Sequence, residues 1–224
     1  MKYQWILFDA DETLFHFDAF QGLILMFSRF GVTFTQADYH IYQKLNKPLW
    51  DDYQSGNITA KQLQNQRFEF WSAKLSIPTQ QLNSAFLIAM ADISTLLPGA
   101  LTLLEFLSSR TQLGIITNGF TELQKIRLKK LKVAHHFSLL VISEEVGVAK
   151  PDNAIFNYAF KQMEQVNKSQ IIMVGDNIHS DIQGGINAGI DTCWLNATNS
   201  EKPENITPHF QIAQLSELKA IVTK

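Results

Sequence analysis

Asp9 and Asp11 stand one residue apart at the end of an apolar run, Tyr3 to Phe8. Carboxylates this close repel each other unless a cation or a proton lies between them, so the pair is a metal-site signature, with a loop of solvated acids as the alternative. A second acidic word, Gly175-Asp176-Asn177-Ile178-His179-Ser180-Asp181, also follows an apolar run. Asp176 would complete the ligand set magnesium takes, a few carboxylates supplemented by water and phosphate oxygens. Asp181 falls near the start of a helix that continues through Gln183, where an acid also complements the helix dipole. Ile115-Ile116-Thr117-Asn118-Gly119-Phe120 supplies a hydroxyl, a side-chain amide and free backbone N–H groups, the components of a phosphate cradle. Lys150, in Ala149-Lys150-Pro151, adds a cation on a backbone that the following proline restricts to extended conformations.

These words need elements that bring them together. Apolar β-type runs cover Tyr3 to Phe8, Leu113 to Thr117, Leu139 to Ser143 and Ile171 to Val174, with Thr192 to Leu195 as a fifth. They are apolar almost throughout rather than alternating, the signature of strands buried on both faces of a parallel sheet. Helical spacing over Thr121 to Lys132 and Asn153 to Gln165 fills the intervals and predicts right-handed βαβ units. In such sheets ligands sit at the carboxyl ends of the strands, so Asp9, Thr117, the Ser143-Glu144-Glu145 turn and Asp176 are expected at one edge. The expected fold class is therefore α/β, a Rossmann-like parallel sheet core flanked by helices.

The stretch from Phe17 to Thr95 breaks this rhythm, being strand-poor and rich in helix formers. It predicts helices over Ala19 to Phe30, Thr35 to Ser55, Thr59 to Leu75 and Thr79 to Ile93, with Thr35, Asp38 and Thr59 as capping signals. The expected division is a catalytic core of residues 1–16 and 96–224, with residues 17–95 a helical cap domain inserted after the first strand.

The chain has 224 residues, about one and a half domains at the usual ~150 residues each. Hydrophobic residues make up 46% and charged residues 18%, enough for a sizeable core and incompatible with intrinsic disorder. A formal charge of -2 offers no bulk attraction to nucleic acid or to an anionic membrane. No apolar run approaches the ~20 residues that span a bilayer, and Asp9 and Asp11 interrupt the N-terminal run before it could serve as a signal peptide. Cys193 is the single cysteine, which rules out an internal disulfide and a cysteine zinc cluster. A cytoplasmic protein is expected, a monomer or homodimer with neither a nucleic-acid nor a membrane partner.

Taken in order, Asp9, Asp11, Thr13, Thr117, Lys150, Asp176 and Asp181 resemble the signature of the haloacid dehalogenase superfamily: D-x-D-x-T, a Thr or Ser after the second strand, a Lys and a final acidic pair. The likeness spans essentially the whole chain. The longer words Phe8-Asp-Ala-Asp-Glu-Thr-Leu-Phe15, Ile116-Thr-Asn-Gly-Phe120 and Ile142-Ser-Glu-Glu-Val-Gly-Val-Ala-Lys-Pro151 are similar to the group's bacterial house-cleaning pyrimidine 5'-nucleotidases. The resemblance implies a magnesium-dependent phosphatase acting on nucleoside monophosphates such as dUMP, UMP and dTMP. It further implies that Asp9 is the nucleophile, forming an aspartyl-phosphate, and Asp11 the general acid and then base. Magnesium would be held by Asp9, the Asp11 carbonyl and Asp176. Thr117, Asn118, Gly119 and Lys150 would hold the phosphate, and Asp181 would orient Lys150 or metal-bound water. Asp11 also sets the chain apart from dehalogenase members, which lack a second Asp and need no metal.

A phosphatase for another small phosphomonoester, such as a sugar phosphate, remains open at this stage. So does a phospho-Asp switch or binding module, although receiver domains lack a helical insert after the first strand. Lys125, Arg127, Lys129, Lys130 and Lys132 alternate with Leu123, Ile126, Leu128 and Leu131, which predicts an amphipathic helix with one solvated basic face. His135, His136 and His179 lack companions at zinc-ligand spacing. Asn46, Trp50, Tyr53 and Arg67 lie where a cap could meet a nucleoside, but packing within the cap is the simpler reading of such side chains.

Overall fold

The protein is described here by a computed structural model covering residues 1–163 and 167–223. Strands β1 (Trp5–Phe8), β2 (Gln112–Thr117), β3 (Leu139–Ile142), β4 (Ile171–Gly175), β5 (Asp191–Leu195) and β6 (Phe210–Ile212) form one parallel sheet in the order β3-β2-β1-β4-β5-β6. The chain builds outward from β1 to β3, then returns to the other side of β1 with β4. That reversal creates a switch point at the carboxyl ends of β1 and β4, where Phe8 pairs with Val174. Ile6, Leu7 and Phe8 are completely buried, each worth roughly 1.5–3 kcal/mol of hydrophobic stabilisation, so the apolar run makes β1 the central strand. Leu7 joins Ile116, Val141, Met173, Ile155 and Phe156 in a core on one face of the sheet.

Packing divides the chain into two compact units, Met1–His16 with Thr95–Gly119 and Leu131–Lys224, and Phe17–Ser94 with Phe120–Lys130. The segment between them leaves and returns through adjacent extended stretches, tied by Leu97 N–H to Leu14 O at 2.9 Å and by His16 N–H to Thr95 O at 3.0 Å. The second unit holds α1 (Ala19–Ser28), α2 (Gln36–Gln54), α3 (Ala60–Gln66), α4 (Glu69–Leu75), α5 (Thr79–Ile93) and, from beyond β2, α7 (Thr121–Lys130). Helix α7 is tied to α5 by Ser84 Oγ donating to Glu122 at 2.6 Å and by Lys130 Nζ donating to Ala91 O at 3.1 Å. In the first unit α6 (Ala100–Ser108), α8 (Ser143–Val146), α9 (Asn153–Gln162), α10 (Gln183–Ala188) and α11 (Leu218–Val222) complete the α-helices among the described residues.

Several expected boundaries shift. The expected Thr59 to Leu75 helix is broken into α3 and α4, because Phe68 leaves helical geometry at φ -113° and ψ 2° while both Arg67 and Phe68 are buried. No glycine or proline marks the break; burial imposes it. β3 ends at Ile142, and Ser143 opens α8 instead of closing the strand. The helix expected over Asn153 to Gln165 runs to Gln162, and residues 164–166 lie outside the described residues. β6 was not anticipated, since three residues carry no readable period. The basic run also needs correction: Arg127 is completely buried, donating from Nε and NH2 to Gln124 Oε1, so α7 does not present all its cations to solvent.

Aromatic packing fills the second unit. Phe27 and Phe34 stack at 4.8 Å, and Arg67 lies over the rings of Phe68, Phe86 and Phe120 while donating to Asn83 Oδ1. Tyr53 and Arg67 are therefore packed residues of this unit, whereas Asn46 and Trp50 stay partly exposed.

Candidate active site

Asp9 is the first residue after β1, and its N–H still donates to Val174 O at 2.9 Å, which extends the central ladder by one bond. The chain then turns tightly: the N–H groups of Leu14 and Phe15 both donate to Ala10 O, and Glu12 takes a left-handed conformation at φ 54°. This turn buries Thr13 completely and aims it at the end of β4. Its hydroxyl donates to Asp176 Oδ1 at 3.1 Å and accepts from the Asp176 N–H at 3.0 Å. The D-x-D-x-T word thus latches the second acidic word across 163 residues of sequence. Trp194, from β5, secures Asp176 from the other side by donating Nε1–H to its carbonyl at 2.7 Å.

Asp181 arrives by a different device. After β4, Asn177 caps a single wide π-helical turn, Ile178–Ile182, by accepting from the N–H groups of His179 and Ser180. The turn folds Asp181 back over Gly175, where a Cβ atom would meet Asp181 Oδ2 at 2.2 Å. Only glycine tolerates that approach. Asp181 Oδ2 accepts from Asn177 N–H at 3.0 Å, and Oδ1 accepts from Ser180 Oγ at 3.1 Å and lies 2.7 Å from Lys150 Nζ. Both oxygens are engaged.

Lys150 is buried, and its ammonium has three acceptors for its three protons: Asp9 Oδ1 at 2.6 Å, Asp181 Oδ1 at 2.7 Å and Ile116 O at 2.6 Å. Burial works against its charge, but Asp181 and Asp9 outweigh that and hold its pKa above the ordinary lysine value. Burial raises the pKa of Asp9 despite Lys150, with Asp181, Asp176 and Asp11 pushing the same way. Burial and then Asp181 lift Asp176 to about 7, against the hydrogen bond from Thr13.

One carboxylate oxygen from each of Asp9, Asp176 and Asp181 lies within 4.8 Å of the other two. Three carboxylates beside one ammonium leave two excess negative charges, which a divalent cation would neutralise, and an all-oxygen donor set suits a hard ion. The Asp11 side chain is not part of this trio, and the metal ligand expected of Asp11 is its main-chain carbonyl. Thr117, fully buried at the end of β2, accepts the Gly119 N–H at 3.0 Å through its hydroxyl. Asn118 turns its side chain to the backbone of Lys150.

The structure therefore gathers Asp9, Asp176, Asp181 and Lys150 into direct contact or near contact, with Thr117, Asn118 and Gly119 on the adjoining strand end. Sequence reasoning quoted Gly175 and Asn177 within the second acidic word without giving either a role, and did not single out the Trp194 side chain. Gly175 closing an otherwise apolar strand was an available signal of close approach. Nothing in the sequence pairs Trp194 with Asp176.

A parallel sheet with acids and a lysine at its switch point defines a hydrolase of the haloacid dehalogenase type, and the haloacid dehalogenase-like hydrolase family model matches residues 3–189. The chain belongs to this family. It is 53% identical over its full length, and over the full length of the relative, to pyrimidine 5'-nucleotidase YjjG of Escherichia coli. It is 34% identical to pyrimidine 5'-nucleotidase PynA of Streptococcus pneumoniae, with 97% of this chain and 94% of PynA covered. Among solved structures, HAD-hydrolase YfnB from Bacillus subtilis bound to magnesium superposes with a TM-score of 0.84 at 28% identity, covering 99% of each chain.

Proposed function

We propose that this protein is a magnesium-dependent phosphatase that hydrolyses pyrimidine nucleoside 5'-monophosphates through an aspartyl-phosphate on Asp9. The observation that carries the chemistry is the convergence of Asp9, Asp176, Asp181 and Lys150 at one switch point. The substrate class rests on the full-length likeness to two pyrimidine 5'-nucleotidases. In this reading residues 17–95 act as the cap that selects substrate.

An Asp9 oxygen attacks phosphorus while the bond to the nucleoside 5'-oxygen breaks, and Asp11 gives that oxygen its proton. Asp11 then takes a proton from water as the water attacks phosphorus and releases the Asp9 carboxylate with inorganic phosphate. Asp9, the Asp11 carbonyl and Asp176 would hold magnesium, which when bound neutralises charge between nucleophile and phosphoryl group. The Thr117 hydroxyl and the Asn118 N–H take phosphoryl oxygens, and the Gly119 N–H, which donates to Thr117 Oγ1, orients that hydroxyl until the phosphate arrives to share it. Lys150 already gives its protons to Asp9, Asp181 and Ile116, so it acts beside the phosphate as a fixed positive charge that also orients the nucleophile. Asp181 holds that ammonium in place.

The test is phosphate release from a panel of nucleoside monophosphates and sugar phosphates, with magnesium and with excess chelator. Release that needs magnesium and is fastest with dUMP, UMP and dTMP is the expected result. Release from sugar phosphates alone would keep the chemistry and discard the substrate, and no release would return the chain to a phospho-Asp switch.

A further inference from the structure

The side chain of Asn118 is turned to the backbone of Lys150. Its Oδ1 accepts the Lys150 N–H at 2.7 Å, and its Nδ2 donates to the Lys150 carbonyl at 2.9 Å. One amide side chain thus satisfies both backbone groups of a single residue, in the way a neighbouring strand would. That substitute is needed here because the β2–β3 ladder stops at Thr117 and Ile142, and Lys150 lies beyond it. Two residues upstream, the Ile116 carbonyl accepts from Lys150 Nζ at 2.6 Å. The end of β2 therefore grips Lys150 at both ends of its side chain, by the backbone through Asn118 and by the ammonium through Ile116.

We propose that the Asn118 side chain is a positioning residue for Lys150, fixing the backbone from which the ammonium reaches Asp9 and Asp181. This rests on the phosphatase reading above, since Lys150 matters there as the charge beside the phosphoryl group. A long lysine side chain carries about 2 kcal/mol of rotamer entropy, so holding its base as well as its tip decides how sharply the charge is placed. Without the clamp, Lys150 N–H and C=O lose two hydrogen bonds and the ammonium samples positions away from Asp9. The Asn118 side chain then affects phosphate binding only through Lys150.

A double-mutant cycle read by calorimetric binding of orthovanadate to the magnesium-loaded protein tests this without requiring turnover. Asn118→Ala is expected to weaken orthovanadate about 30-fold in the native background, as fits the loss of two neutral hydrogen bonds. In a Lys150→Ala background the same change should cost less than about 3-fold. Asn118→Leu, near the native volume and uncharged, should behave alike and serves if the alanine variant unfolds, which a thermal melt of each variant reveals. Equal losses in both backgrounds would overturn the positioning role alone. Orthovanadate carries no base, so the result is independent of nucleotide preference. A native protein that did not bind orthovanadate at all would remove the phosphatase reading and this inference together.

Discussion

Asp9 and Asp11 differ in what surrounds them, and that difference separates their roles. Asp9 touches Lys150 and shares the acidic trio, whereas the Asp11 carboxylate stands outside it. On the proposed roles, Asp9→Asn abolishes turnover, a loss of about 10⁴-fold or more in kcat, because an amide neither attacks phosphorus nor holds magnesium. Asp11→Asn is expected to lower kcat by 10²- to 10⁴-fold, roughly the range of a lost general acid–base, while leaving phosphate affinity near native. Steady-state kinetics with phosphate as a product inhibitor distinguishes the two, and normal activity of Asp9→Asn would refute the mechanism. The acids themselves were readable because D-x-D-x-T is a local word. Lys150 was readable as the site cation, but its direct contact with Asp9 across 141 residues was not, nor was Trp194, which meets Asp176 through an indole that any buried strand could carry.

At the scale of elements, capping was the most legible feature. Thr35 and Asp38 form the reciprocal pair expected of them, with Asp38 N–H donating to Thr35 Oγ1 at 3.2 Å and Thr35 N–H donating to Asp38 Oδ2 at 2.9 Å. Hydrogen bonds from the Thr35 side chain and backbone hold the Asp38 pKa below the usual carboxylate value. Thr35→Ala should cost about 1 kcal/mol, or roughly 2–4 °C in melting temperature for a chain of this size, without altering kcat at the core site. A thermal melt checks the first part and a turnover assay the second. The break between α3 and α4 shows the opposite case. Helical periodicity runs straight through Arg67 and Phe68, and it is the burial of both side chains among aromatic rings that ends one helix and starts the next. Helix α7 makes the same point, because local alternation of leucine and lysine concealed a fully buried Arg127.

At the scale of the whole molecule, the acidic site links folding to pH and metal. Asp176 is lifted from 3.8 to about 7 in the folded state, and Asp9 is raised as well. A carboxyl raised by folding binds more protons folded than unfolded, so its contribution to stability declines as pH rises from about 4 to about 7. A divalent cation competes with those protons and binds the ionised acids, so its stabilising effect grows over the same interval. At a concentration about 100 times its dissociation constant, magnesium should add roughly 2.7 kcal/mol at pH 8 and far less at pH 5.5. Thermal melts with magnesium and with chelator at both pH values measure this, and equal metal increments at the two would contradict the site. The sequence by itself determined the class of sheet, the acidic words at its strand ends and the helical stretch between β1 and β2, because buried parallel strands need continuous apolar runs and the polar words follow them locally. Only the tertiary structure decided the strand order, the two hydrogen bonds between Thr13 and Asp176, the closing of Asp181 over Gly175 and the three acceptors around the Lys150 ammonium. Those depend on contacts between residues far apart in the chain, whose energies no local pattern encodes.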